Sequence, residues 1–531
     1  MLKHAKWIGL TALGVAWVFD FLFWKKQPGV SFAIFVILCL AAGLSLALGE
    51  GRRPSLASLA LILPTIFFAV MSFIRAEPFT LAFSYLLALG LMALTALTFL
   101  GGRWFLYSIP DYVSGFFKLA GSALTGVILN WEKSPGAKST QARGDDPHPA
   151  NWKLAFPVLR GLILAAPVVT VFAVLLASAD PIFSHRLANI IQLFNLENLP
   201  EYIWRLSYIL ALAYGLAGIY LYALLQSRDD HLIGLEKPWL APFFGFTEAA
   251  IMLGCVSLLF AAFVAIQFQY FFGGNANITL EGFTYAEYAR HGFGELLAVS
   301  LFSLILLLSL NAATRRYTPG QRWGFSGLAG ALVILVIVIL DSAFQRLLLY
   351  EQAYGFTRLR TVTHVFMIWL GVLLAATLIL ELARRVRIFP AVLALTAVGF
   401  GVSIDLINVD SLIVAQNVQR AQAGRPLDKT YLMGLSTDAV PALTRLYRDP
   451  ALPEETRLGL AAPLACQAAR VEDENENLPW QSFNFSRSRA SQALQSLGTS
   501  LAEYPVHQDP HGRWLIRIDG SDQPCFPVNP D

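Results

Sequence analysis

Charge is scarce in this chain: 14% of its 531 residues are Asp, Glu, Lys or Arg, against about 25% in a soluble globular protein. Most of the length therefore cannot be an ordinary soluble domain. The formal net charge is only +3, with no concentrated basic patch, which argues against a nucleic-acid partner. Cysteine is scarce as well. Cys39, Cys255, Cys466 and Cys525 form no CxxC pair, so a zinc or redox motif has no support. There is no GxxxxGK(S/T), no HExxH, no GxSxG and no dinucleotide fingerprint after a strand. Those absences disfavour a nucleotide-driven pump, a zinc protease or a serine hydrolase of the usual kinds. No cofactor and no metal are expected.

Apolar sequence is abundant: 56% of residues are hydrophobic and mean hydropathy is +0.56. A spanning helix needs about 20 mostly apolar residues, and eleven stretches qualify. They run approximately over 7–24, 29–49, 54–74, 79–100, 154–179, 205–226, 244–271, 293–310, 323–340, 361–382 and 388–406. Backbone groups must be satisfied internally in lipid, so these read as helices. Lys3 and Lys6 before the first stretch resemble a signal peptide, but Phe23-Trp24-Lys25-Lys26 offers no small-residue cleavage site. The stretch reads as a retained span. The expected fold is all-α, a polytopic bundle of about eleven spans with a small, mainly helical C-terminal soluble domain.

Lysine and arginine set the orientation. Loops on the N-terminal side of the membrane hold roughly twice as many as the opposite loops, so the N-terminus is expected inside. Eleven spans then place the tail outside. Four regions follow: a four-span segment 1–103, an interfacial helix and polar linker 104–152, a seven-span core 153–406, and a soluble tail 407–531. The tail carries 11 Lys and Arg against 15 Asp and Glu, a sum of −4. Its first half reads as short stacking helices, and Arg513–Ile518 alternates like a strand. Cys466 and Cys525 are the tail's only cysteines; an external disulfide and two unpaired thiols both stand open.

Ionisable residues in a membrane are costly, roughly 2.5–3.5 kcal/mol at a helix centre, and so point to sites. Asp20, Asp180, Glu295, Asp341, His364 and Asp405 fall at the outer ends of spans. Glu287, Arg290, His291, Arg346, Glu351, Arg358 and Arg360 lie in the loops between, with Tyr354 beside them. Together, Asp180, Glu287, Arg290, His291, Glu295, Asp341, Arg346, Glu351, Tyr354, Arg358, Arg360 and His364 form a candidate polar cluster facing outward. The plainer reading is that such charges snorkel or lock neighbouring helices; Arg160, Glu248 and Glu381, near inner ends, are assigned to it. Glu287, His291 and Glu295 have the i, i+4, i+8 spacing of one helix face, but Gly292 and Gly294 interrupt it. Ion pairing of Glu287 with Arg290 is the better use. In Tyr354-Gly355-Phe356-Thr357-Arg358-Leu359-Arg360, two arginines beside aromatics suit a phosphate or carboxylate. Pairing with lipid headgroups, Asp341 or Glu351 serves equally.

Ala177-Ser178-Ala179-Asp180-Pro181-Ile182-Phe183 resembles a motif of the bacterial membrane-protein family catalogued as domain of unknown function 4173. So do Phe263–Gly274, Tyr285–Arg290 and Tyr354–Arg360, and Asp438-Ala439-Val440-Pro441-Ala442-Leu443 in the tail. The resemblance covers the fifth to tenth spans and leaves out the first four. It implies a bacterial cytoplasmic-membrane protein and no activity. Three functions compete. The first is a non-enzymatic envelope component (sensor, regulator or scaffold) whose tail takes a protein partner. The second is a transporter or lipid-handling protein, and the third an envelope enzyme acting on a lipid-linked substrate. The lipid bilayer is a partner in all three, and an enzyme is the less favoured outcome.

Overall fold

A computed structural model describes residues 5–132, 172, 176, 198–228, 232–233, 241–272, 293–475, 478–518 and 520–526. Ten helices among them are long and apolar enough to cross a membrane. They coincide with ten of the eleven stretches read from the sequence; the other, 154–179, lies outside the described residues save for Phe172 and Leu176. The fold is an all-α polytopic bundle with one small sheet. It divides into two compact units, 1–21 with 120–222, and 22–119 with 223–531.

In the first unit, α1 (Ala5–Phe23) and α7 (Leu199–Leu225) pack through Ala16, Ile209 and Ala213. Asp20 is buried and receives Arg205 Nε at 3.0 Å, with Arg205 Nη2 and the Tyr208 hydroxyl also on its carboxylate. The span-end aspartate thus locks helices together. The end of α6 (Ile109–Glu132) crosses α7 closely: Ser122 Oγ donates to Gly218 O at 2.9 Å, and a Cβ on Gly218 would meet Ser122 O at 2.2 Å. Close backbone approach at small residues is how helices associate in lipid, where apolar burial between them supplies no drive.

In the second unit, α2 (Val30–Gly49) is followed by a broken span, α3 (Leu56–Leu59) and α4 (Ile62–Ile74). Pro64 has no N–H to give the Ala60 carbonyl, so the helix is interrupted there. Then come α5 (Pro78–Thr98), α8 (Phe246–Phe272), α9 (Phe293–Ala313), α10 (Pro319–Tyr354), α11 (Arg358–Leu382) and α12 (Phe389–Ile407). The 36-residue α10 is about 54 Å long, twice the span expected at 323–340. Thr318 and Gln321 start it with a reciprocal capping box. Beyond Leu340 the charged residues lower hydropathy without breaking helical propensity, so the helix continues.

Gly399 and Gly401 let α12 pack. A Cβ on Gly399 would lie 2.1 Å from the Trp369 ring, and one on Gly401 2.6 Å from Leu87 Cδ1. We expect Gly399→Val to destabilise the purified protein by about 1–3 kcal/mol through overpacking. Gly371→Ala, whose Cβ would meet Leu340 at an ordinary 3.7 Å, should leave the melting temperature unchanged or higher. Thermal denaturation in detergent checks both.

Asn408 takes a left-handed conformation (φ 55°) between α12 and the tail, and its side chain caps Ser411 N at 3.2 Å. Short helices follow, as expected: α13 (Val409–Gln422), α14 (Lys429–Met433), α15 (Val440–Tyr447), α16 (Glu454–Gly459), α17 (Ala461–Asn475) and α18 (Phe485–Gln495). Val365, Phe400 and Ile404 of the spans share one apolar cluster with Ile413, Val414, Leu443, Leu464 and Ala490 of the tail. The alternating segment is β2 (Trp514–Ile518), central in an antiparallel sheet between β1 (Val506–Gln508) and β3 (Ser521–Pro524). Cys466 of α17 is disulfide-bonded to Cys525 just beyond β3, with Cα atoms 5.4 Å apart.

Candidate functional site

The tail meets one end of the bundle at three places, each built on backbone groups that a helix end leaves without partners. The first is the α4–α5 turn. Glu77 caps α5, accepting Phe79 N at 3.1 Å and Thr80 N at 2.6 Å, with Pro78 at the first helical position. Asp438 of the tail accepts Ala76 N at 2.7 Å and Glu77 N at 3.0 Å. Arg75 reaches the end of α12, donating to Asp405 O at 2.6 Å and Leu406 O at 3.3 Å. The buried Asp405 carboxylate accepts Ser84 Oγ of α5 at 3.0 Å.

The second is the start of α11. Arg358 Nε and Nη2 grip the two oxygens of Asp410 at 2.7 and 2.6 Å, and Glu77 Oε1 lies 3.7 Å from Arg358 Nε. Asp410 is fully buried and also accepts Ser436 N at 2.7 Å. Two parallel charge-assisted bonds in a shielded site are the strong form of an ion pair. The backbone N–H of Arg358 donates to the Tyr431 hydroxyl at 2.7 Å.

The third is the α10–α11 turn. Asn417 brackets Phe356, accepting its N–H at 2.8 Å and donating to its carbonyl at 2.9 Å. Arg420 donates to the carbonyls of Gln352 and Ala353 at 3.1 and 3.0 Å, satisfying the end of α10. Gly355 is required here: its φ is 93°, and a Cβ would meet Arg420 Nη1 at 2.9 Å and Asn417 Oδ1 at 3.0 Å.

The sequence candidates divide around this clamp. Arg358 is its centre. Arg360 turns back to Gly355 O at 2.5 Å and lies over the Tyr350 ring at 4.2 Å. Glu351 is fully buried, and His364 Nδ1 stands 3.3 Å from its Oε2. That contact is within ion-pair distance but is not a hydrogen bond, and both Glu351 oxygens and His364 Nε2 are without a hydrogen-bond partner. Glu295, Asp341 and Tyr354 are exposed, and Arg346 is half-buried. Asp180, Glu287, Arg290 and His291 lie outside the described residues. Among the described residues no group of His, Cys, Asp and Glu could hold a metal ion.

Glu77, Asp410, Asn417, Arg420 and Asp438 were not among the candidates. The signals available were small: Glu77 before Pro78 as a helix cap, and the Asp438–Leu443 phrase. Burial raises the Asp438 carboxyl above its ordinary range, opposed by its bond from Ala76 N. A raised carboxylate favours the folded state below its unfolded value and loses that contribution as pH rises through the folded one. Asp438→Asn keeps an acceptor for both amides without the charge. We therefore expect the stability difference, variant minus native, to grow from pH 4 upward in pH-resolved thermal melts.

The opposite end of the second unit has its own buried charge. Glu381 receives Arg316 Nη1 at 3.2 Å and Ser326 Oγ at 3.0 Å, with Asn311 Nδ2 also bonded to it. Arg316 lies over the Phe325 ring at 4.4 Å. This matches the structural role expected for Glu381. Beside it a cleft of about 860 Å³ is lined by Phe243, Phe244, Ile305, Leu308, Arg316 and Phe389 among others.

The family model described as Domain of unknown function (DUF4153) matches residues 62–446. The chain belongs to this family. The resemblance noted to domain 4173 is thereby corrected in its number, while the unassigned activity is common to both. The match also begins earlier than the resemblance did, taking in α4 and α5. Every residue of the clamp, from Arg75 to Asp438, lies inside the DUF4153 region, whereas Cys466 and Cys525 lie beyond it. No curated protein and no solved structure matches the chain.

Proposed function

We propose that this multi-pass membrane protein is a non-enzymatic component of the bacterial cell envelope, a sensor, regulator or scaffold of the cytoplasmic membrane. Its tail, 407–531, stands on the outer face and is the part that meets an external partner. The observation that carries the reading is the Arg358–Asp410 pair. The arginine best placed to hold a ligand is spent on fastening the tail to the spans, and Asp438 and Arg420 are spent likewise.

Orientation has two supports. Lys25, Lys26, Arg75, Arg358 and Arg360 lie at the tail's end of the second unit, with Arg346 further in. The opposite end holds Arg52, Arg53, Arg103, Arg228, Arg315, Arg316, Arg322, Arg384, Arg385 and Arg387. The richer end belongs in the cytoplasm. A disulfide between Cys466 and Cys525 suits an oxidising compartment.

Complementation of a deletion strain, read as envelope-stress sensitivity, tests the reading. Glu351→Gln and Asp341→Asn should complement at normal protein levels, while Asp410→Ala should not. Loss of function with Glu351→Gln and retention with Asp410→Ala would overturn it in favour of chemistry or transport. A lipid-handling role is the second reading, favoured by the cleft beside Arg316. Filling that cleft with Leu308→Trp should abolish function only in that case.

A further inference from the structure

Between α17 and the first residue of α18, the tail carries Trp480, Phe483 and Phe485, which are 56%, 44% and 40% exposed. Exposed aromatics set at the ends of membrane spans are what the lipid–water interface accommodates. Their depth is fixed by bonds to the ends of the spans. Phe483 O accepts Val30 N, the first residue of α2, at 2.9 Å. Ser482 Oγ donates to Gln27 O at 2.9 Å, and Asn484 Nδ2 to Arg75 O at 3.0 Å. The approach is close enough that a Cβ on Gly29 would stand 2.5 Å from Phe483 O. These three contacts hold residues 482–484 level with the α1–α2 and α4–α5 turns, where lipid headgroups begin. Arg489 lies 4.9 Å over the Phe485 ring, and Arg487 pairs with Glu474 at 3.1 Å. Trp and Phe bodies with guanidinium groups close behind are the composition of an interfacial belt.

We propose that the Trp480–Phe485 segment is a membrane anchor of the tail, inserted in the headgroup region of the leaflet on the tail's side. The occupant of this surface is lipid, because residues 482–484 are bonded to the α1–α2 and α4–α5 turns, at the ends of spans that lipid surrounds. Gly29 is explained with it: any side chain there would push the segment away from the start of α2.

The test places a single thiol at Trp480→Cys in a Cys39→Ser, Cys255→Ser background, labelled with an environment-sensitive fluorophore and reconstituted in phosphatidylcholine–phosphatidylglycerol nanodiscs. Phe485→Cys serves as a second site, and Glu455→Cys, exposed on α16, as the control. Retention of the Cys466–Cys525 disulfide and of the melting temperature checks folding. Shallow-labelled nitroxide lipid should quench both loop sites several-fold more than deep-labelled lipid, and more than the control. Aqueous iodide should quench them several-fold less than the control. Iodide quenching equal to the control, with none from lipid, would put the loop in water. Protection from both quenchers would put it under protein. Either result overturns the proposal.

Discussion

Asp410→Ala should destabilise the folded protein by about 3–5 kcal/mol, the usual cost of leaving one partner of a buried ion pair uncompensated. Asp410 is fully buried, takes both forks of Arg358 and holds Ser436 N. Glu77, 3.7 Å from Arg358, relieves only part of the stranded charge. The loss should show as release of the tail, read by protease cleavage of the exposed 423–428 loop in native membranes. Asp410→Leu combined with Arg358→Met should cost less than either single change, because the pair removed together strands nothing. If the double variant is as labile as the sum of the singles, the clamp does not act as a pair.

Removing the disulfide is the second large effect. Cys466 and Cys525 close a loop 59 residues apart, for which loop entropy gives about 4 kcal/mol. Cys466→Ser should therefore unfold the β1–β3 sheet and free the last residues to proteolysis. It should leave the spans and the clamp melting as before, since neither cysteine touches them. Two sizes of tail fragment after limited proteolysis, the shorter from the variant, would report this. An unchanged fragment pattern would mean that the apolar cluster of Met433, Ala462 and Ile516 suffices.

The spans were legible because lipid leaves the backbone one choice, and a run of about 20 apolar residues announces it. The length of α10 was not, because a hydropathy window stops at Asp341 while the helix does not. The strand at Trp514–Ile518 was visible in its alternation, whereas the Cys466–Cys525 bond stood open because no sequence gives a Cα separation. Of the site, Arg358, Arg360, Glu351 and His364 stood out as charges near span ends. Their partners did not. Asp410 lies 52 residues from Arg358, and Asp438 lies 362 residues from Ala76. Such pairings are made by the fold, and only the type of residue, a lone acid near a helix start, hints at them.

The clamped tail is proposed to stand outside the cytoplasmic membrane. Single cysteines at Glu455, exposed on the tail, and at Tyr317, 76% exposed at the opposite end of the second unit, test it most directly. Both are placed in the Cys39→Ser, Cys255→Ser background and treated with an impermeant maleimide on intact cells. Glu455→Cys should label without lysis and Tyr317→Cys only after permeabilisation. Labelling of Tyr317→Cys on intact cells, with Glu455→Cys protected until lysis, would contradict it and place the tail in the cytoplasm.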